Sequence, residues 1–254
     1  MERPVIIKLT LSGIVAFRSE GKKGEHSIKT QPKWKVTRAK MLHAAVTLFL
    51  EKGYQNTTTS EISEKAGYSP AMIFSSFPDK ESILYALIGY MFEDQFAATA
   101  SLLGPGCEPL FFYCVETALQ LHITELSEPL RDLYVTAYTL QSTSEFIYQS
   151  MAKKLPGIFQ GQLPGYTQED FYELEIASGS VMRGYMAKEC TAGFPIEKKT
   201  ARFLEASLSI YQVPRAVIGE LIKRILSMDL KALAGEIIKK TVEKAEQGFD
   251  PEPR

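Results

Sequence analysis

Apolar positions along most of the chain recur at helical spacing rather than in alternation. Met41, Leu42, Ala45, Leu48 and Phe49 form one stripe at intervals of three and four, and Gly53 ends it. The pattern predicts a helix from about Thr37. Two very short helices should follow. Thr58 and Glu61 have the spacing of a capping box, which opens a helix that Gly67 closes. Ser69 then offers an N-cap, and Pro70 takes the first helical position, where its missing N–H costs nothing. That second helix should run to about Phe77. Pro78 stops it, and Asp79 caps a long helix from Lys80 to about Leu103.

Beyond Gly104-Pro105-Gly106 the pattern predicts further helices near 109–124, 129–141, 144–154, 168–190, 196–212, 215–227 and 229–247. The only alternating stretch lies at the other end, where Ile7, Leu9 and Leu11 interleave with Lys8, Thr10 and Ser12, closer to a short strand or sticky extension than to a helix. Residues 18–33 are Gly-, Lys- and Ser-rich without periodicity and read as a linker. The expected fold class is all-α: an N-terminal three-helix head with a helix-turn-helix, then a larger helical body. The expected division is 1–33 as extension and linker, 34–90 as the three-helix head with its motif at 58–77, and 91–254 as the larger helical body.

Two short helices joined by Gly67-Tyr68-Ser69 have the form that presents a second helix to a DNA major groove. The surrounding residues sharpen this. Gly53-Tyr54-Gln55-Asn56-Thr57-Thr58, Ile62, Ala66-Gly67-Tyr68-Ser69, Ile73-Phe74, Phe77 and Asp79-Lys80-Glu81-Ser82-Ile83-Leu84 resemble the DNA-binding domain of the tetracycline-repressor (TetR) family of bacterial transcriptional regulators. The resemblance covers about residues 37–84; the rest is similar only in size and helical character. It implies that Ser69, Pro70, Ala71, Met72, Phe74, Ser75 and Ser76 face DNA. Thr57 and Thr58 lie at a helix N-terminus, which favours a phosphate, and Lys80 adds a cation nearby. Lys35 and Arg38, in the basic run Lys33–Lys40 with Trp34, are further candidates for phosphate contact.

The chain departs from the family in telling ways. Phe74 stands where a Tyr is usual, Ser76 where a His is frequent, Ala71 in place of Gly and Tyr68 in place of Val. Positions 69–77 hold no Arg, Lys, Asn or Gln, the side chains suited to bidentate base readout. Discrimination would then rest on hydroxyls, contacts with thymine methyls and DNA shape.

Charge at first argues against a polyanion partner, since 29 basic residues face 30 acidic ones. Divided at residue 90, however, residues 1–90, extension and head together, carry 13 basic against 8 acidic residues and the body 16 against 22. The positive part is the part with the helix-turn-helix.

For the body, the resemblance implies a small-molecule effector pocket and a two-fold dimer on a palindromic double-stranded DNA operator. Tyr113, His122, Tyr138 and Gln141 combine apolar bodies with polar tips and are the pocket candidates. Gly179 and Gly184, in a small-residue stretch, and Leu204, Leu208 and Tyr211, on an apolar stripe, are the dimer candidates; packing within the chain is the other reading of both faces.

No metal, cofactor or enzymatic role is expected. His26, His43 and His122 lack ligand spacing with another His or Cys, and no Gly-rich phosphate loop or nucleophile elbow occurs. No run reaches the roughly 18 apolar residues of a membrane-spanning helix. Residues 5–17 make a poor signal peptide, and three cysteines, an odd number, read as thiols in a reducing compartment, so the cytoplasm is the expected location. The leading expectation is a homodimeric repressor released by a small molecule. The alternative is a hydrophobic-ligand-binding or interaction scaffold whose head has weak sequence specificity.

Overall fold

Residues 33–247 are described by a computed structural model. The strand-like reading of 5–17 and, but for Lys33, the linker reading of 18–33 fall outside the described residues. Eleven helices make up the described part: α1 (Lys33–Lys52), α2 (Thr59–Lys65), α3 (Ile73–Ser76), α4 (Lys80–Leu103), α5 (Pro109–Thr124), α6 (Glu128–Ala137), α7 (Gln141–Phe159), α8 (Gln168–Ala187), α9 (Ile196–Ile210), α10 (Arg215–Leu226) and α11 (Leu230–Gln247). No strand forms among the described residues; Thr191 and Phe194 make one isolated bridge.

The punctuation read from the sequence is in place. Thr58 and Glu61 form the capping box of α2, and Asp79 caps α4 by accepting from Ser82 N at 2.7 Å. Caps of this kind are each worth about 1 kcal/mol, because they satisfy N–H groups that the helix itself cannot. Thr167 and Asp170 form a third box at the start of α8. Asp170 thereby serves as the cap partner of Thr167, beside Glu169 in the first turn of α8.

Beyond shifts of a few residues at the ends of α6, α7 and α8, three departures from expectation are informative. First, α1 starts at Lys33, so the basic run Lys33–Lys40 is helical. Second, the single helix expected at 69–77 is a 3-10 turn, Pro70–Met72, leading into the four-residue α3. Met72 N donates to Ser69 O at 2.9 Å, one residue tighter than an α-turn. Third, α7 continues five residues past Lys154, through Pro156. Proline deprives Ala152 O of a donor there, but Leu155 and Phe159 are completely buried on the same helix. Burial of two such side chains is worth about 1.5–3 kcal/mol each and outweighs the missing bond.

In the head, Phe49 of α1, Ile62 of α2, Ile73 of α3 and Phe77 just after it are fully buried against one another and against Ile83 and Leu84 of α4. Gly67, at φ +79°, makes the turn out of α2, and Tyr68 N returns to Ser63 O at 2.9 Å. In the body, α5 is central. It packs against α4, α6, α7, α8, α9, α10 and α11, and twelve of its sixteen residues are buried.

Head and body meet along α4, which belongs to both, and where α1 packs on α6 and α11. Asp132 of α6 accepts from Gln55 N at 2.9 Å. Gly53 closes α1 at φ +85°, and a Cβ there would lie 2.7 Å from Asp132 Oδ2. Glycine is therefore required at this joint twice over, by its dihedral and by its neighbour.

Candidate nucleic-acid interface and buried polar cavity

The turn and α3 present an exposed edge. Ser69, Pro70, Ala71, Met72, Phe74 and Ser75 are all exposed, with Ser76 half-buried behind them. Phe74 is 60 % exposed, an unusual setting for a ring in a helical protein. Its buried neighbour Ile73 anchors the segment, so α3 turns one apolar side chain inward and the next outward. Met72 is also exposed, and Ser75 uses its hydroxyl locally, donating to Met72 O at 2.7 Å.

Around this edge, several candidates serve the scaffold. Arg38 donates from Nη1 to Ser76 O, and its guanidinium lies 4.0 Å from the centre of the Phe77 ring. It thus ties α1 to the end of α3. Thr58 exchanges hydrogen bonds with Glu61 and leaves the N-terminal turn of α2 accessible beside Ser60. Lys35, on the first turn of α1, stacks over Trp34 with Nζ 5.4 Å from the ring centre.

Two of the expected phosphate contacts need correction. Thr57 is buried, and its hydroxyl donates to Gly53 O at 2.8 Å, so its side chain faces the protein. Lys80 Nζ donates to Tyr54 O and Thr57 O, both at 2.9 Å, and sits over the Tyr54 ring. Burial pushes this ammonium's pKa down, with Asp132 pulling it back. Lys80 clasps the loop between α1 and α2 and is no free cation. Local spacing places both residues correctly at helix starts but cannot reveal that the loop closes over them.

The body holds a cavity between α4, α5, α6 and α7. Its polar wall is Gln95, Glu116, Gln120, Tyr134 and Tyr138; its apolar wall includes Ile88, Met91, Phe92 and Ile147. Counting its open mouth it offers about 350 Å³, but only about 30 Å³ of interior room. Of the four residues expected here, Tyr138 alone lines it. Tyr113 is buried elsewhere, in hydroxyl contact with Ser178 at 3.1 Å and Ser207 at 2.6 Å. His122 is half-buried near the end of α5, and Gln141 is exposed at the start of α7.

The missed residues had a signal. Glu116 and Gln120 are polar interruptions, one turn apart, in the otherwise apolar α5. Glu116 Oε1 accepts from Gln95 Nε2 at 3.0 Å and Gln120 Nε2 at 2.8 Å. Tyr134 and Tyr138 donate to the amide oxygens of Gln95 and Gln120 at 3.2 and 3.1 Å. Glu116 Oε2 has no hydrogen-bond partner, and a buried acceptor in that state costs about 1–3 kcal/mol. Desolvation pushes this carboxyl up to about 7, against the pull of the two amides and of Lys154. A second buried carboxyl, Glu175 of α8, is pushed up to about 8 by the same cause although Tyr211 donates to it at 2.6 Å.

The dimer candidates are divided by burial. Leu204, Leu208 and Tyr211 are entirely buried within the single chain, with Tyr211 stacked on Phe159 at 4.1 Å between ring centres. Gly179 is covered by Tyr148, whose ring would lie 2.5 Å from a Cβ there. All four belong to the protomer's own packing, which takes precedence over a partner for a stripe this apolar. Gly184 is exposed, in line with Ile176, Ala177, Ser180 and Ala187 along α8.

No group of three or more His, Cys, Asp or Glu side chains among the described residues is placed to hold a metal ion. No helix among them is long and apolar enough to cross a membrane.

Comparison with known proteins agrees on the head. A family model described as bacterial regulatory proteins, tetR family, matches residues 41–87. Two uncharacterized HTH-type transcriptional regulators of Bacillus subtilis (strain 168) are similar over part of the chain: YvkB is 46% identical over 52 residues and YuxN 27% over 88, covering 20% and 35% of this chain. Each match spans 28% of the relative's own length. The crystal structure of RolR in complex with resorcinol is similar in fold, with a TM-score of 0.60 at 18% identity, over 76% of this chain and 95% of that one.

Proposed function

We propose that the chain, whose residues 41–87 match the tetR family of bacterial regulatory proteins, is a DNA-binding transcriptional regulator whose body responds to a small molecule. In this reading it works as a homodimeric repressor in the cytoplasm. Residues 34–90 bind a double-stranded operator, and residues 91–254 bind the effector and a second copy of the chain.

The observation that carries the reading is the position of α6. Its Tyr134 and Tyr138 line the cavity, while Asp132, on the same ten-residue helix, holds the backbone just after α1. A guest that displaces α6 therefore moves the joint on which the head rests. Ser69–Ser76, with Phe74 foremost, meets the bases, while Lys35 and the first turn of α2 at Thr58 meet phosphates and Arg38 holds α3 in place. The exposed small-residue line of α8 through Ile176, Ala177, Ser180 and Gly184 supports close approach of a partner helix.

Titrating labelled DNA from the chain's own upstream region against random DNA, over a range of salt, tests this. A regulator binds its site roughly a thousandfold or more tighter than random sequence, and both affinities fall steeply with salt. Equal weak binding to both overturns the reading in favour of a ligand-binding scaffold, an outcome to which the lack of Arg, Lys, Asn and Gln at 69–77 gives weight.

A further inference from the structure

Resting on the effector-binding reading of the body, we propose that the cavity between α4, α5, α6 and α7 is an amine site, taking a small organic cation whose ammonium donates to Glu116 Oε2 while its apolar part lies against Phe92, Met91 and Ile147. The hydrogen-bond network fixes the direction. Both glutamine amides donate to Oε1, and both amide oxygens are occupied by tyrosine hydroxyls. The lining network thus converges on one carboxylate and leaves one of its oxygens unpartnered, on a residue that is 1 % exposed and lines the cavity.

The walls then sort the possible guests by charge. A carboxylate or phosphate would be repelled by Glu116. A purely apolar guest would leave Oε2 unpaired. A neutral hydroxyl would supply one donor, but an ammonium supplies a donor and the compensating charge together, and charge-assisted hydrogen bonds are the stronger ones. The rings of Phe92, Tyr134 and Tyr138 line the cavity as well, and aromatic rings attract a cation that reaches their faces.

The charged and titratable groups bearing on Glu116 are few. Lys154 of α7 is drawn away to Glu93 of α4 at 3.5 Å and lies over the Phe92 and Phe96 rings. Tyr134 and Tyr138 of α6 stay neutral, and Glu175 of α8 feels Glu116 as a like charge. Because burial raises the Glu116 carboxyl to about 7, an arriving cation favours its ionised form and expels a proton near neutral pH. The interior, about 30 Å³, is smaller than a ring, so a one-ring guest enters only as the flexible Met91 moves aside.

Calorimetry of the full chain with benzylamine, benzyl alcohol and benzoate, which share one shape, tests the inference. Benzylamine should bind at least about tenfold tighter than benzyl alcohol, benzoate should not bind, and heats in buffers of different ionisation enthalpy should report proton release with the amine alone. Glu116→Gln should reduce the amine to the level of the alcohol. Met91→Ala, which enlarges the site without touching the carboxylate, should tighten the amine and serves as a second measure should Glu116→Gln fail to fold. No binding of benzylamine, equal binding of the alcohol, no proton release, or an affinity indifferent to both variants overturns the amine site. Release of bound upstream DNA is read in parallel. Amine binding without release removes the effector role and leaves the site standing, whereas release by other compounds without amine binding overturns the amine site alone.

Discussion

Phe74 in the head and Glu175 in the body pose the same problem: a side chain in an environment that opposes it. A ring left 60 % exposed next to a fully buried Ile73 contributes little to folding. Phe74→Ala should change stability by no more than about 0.5 kcal/mol while weakening binding to upstream DNA by about 1–3 kcal/mol, measured by denaturant unfolding and by anisotropy. Unchanged DNA affinity would remove Phe74 from the interface. Glu175 carries a pKa raised by burial to about 8, against about 4.5 for an exposed glutamate. Between those values the native state holds a proton that the unfolded state has lost, so stability falls as pH rises through that window. Glu175→Gln does not titrate and should therefore gain on the wild type as pH is taken from about 4.5 to above 8. The gain accumulates at about 1.4 kcal/mol for each pH unit crossed within the window. Melting curves of both proteins check it, and a difference constant with pH would contradict it. At this scale the sequence was legible wherever chemistry is local. Thr58 with Glu61, and Asp79 with Ser82, cap their helices as spacing predicts. It was illegible for Thr57 and Lys80, whose partners lie across a loop.

Elements are held in register by contacts that periodicity does not contain. The ammonium of Lys199, wholly buried near the start of α9, donates to Glu125 at 2.6 Å, just beyond the end of α5, and to the carbonyl of Lys188 just beyond α8. Glu125 in turn accepts from Arg131 of α6 and from Cys190 N. This cluster thus fastens the ends of α5 and α8 to the first turns of α6 and α9. Lys199→Ala should cost about 3–5 kcal/mol, because it strands a largely buried carboxylate and an unpaired carbonyl; chemical denaturation measures it, and a loss below about 1 kcal/mol would show that Arg131 suffices. Element existence was read from the sequence with few errors, but two boundaries failed for identifiable reasons. Pro156 normally ends a helix, yet the buried Leu155 and Phe159 carry α7 past it. Pro70, correctly taken as a first helical residue, starts a 3-10 turn because only four α-helical residues follow.

Across the whole molecule, charge and coupling are distributed unevenly. The basic N-terminal ninety residues and the acidic body favour one orientation toward a polyanion, and α6 spans the distance between cavity and head. The proposed dimer adds α8, whose outward line holds Ile176 at 42 % exposure among Ala177, Ser180 and Gly184. Ile176→Glu should place a charge where helices would meet. Sedimentation should then shift from dimer to monomer, with weaker binding to upstream DNA and an unchanged helical signal. A persistent dimer would move the interface away from α8.

The sequence by itself determined the helical class, the helix-turn-helix and its caps, and the polarity of charge between the two ends. Each depends on residues within a few positions of one another or on simple sums. Only the tertiary structure decided which polar side chains meet. Gln95, Glu116, Gln120, Tyr134 and Tyr138 come from three helices to surround one carboxylate, and Leu204, Leu208 and Tyr211 turn inward rather than toward a partner. An apolar stripe states that a face will be buried. What covers it follows from how the helices are placed in space, and local spacing along the chain carries no record of that.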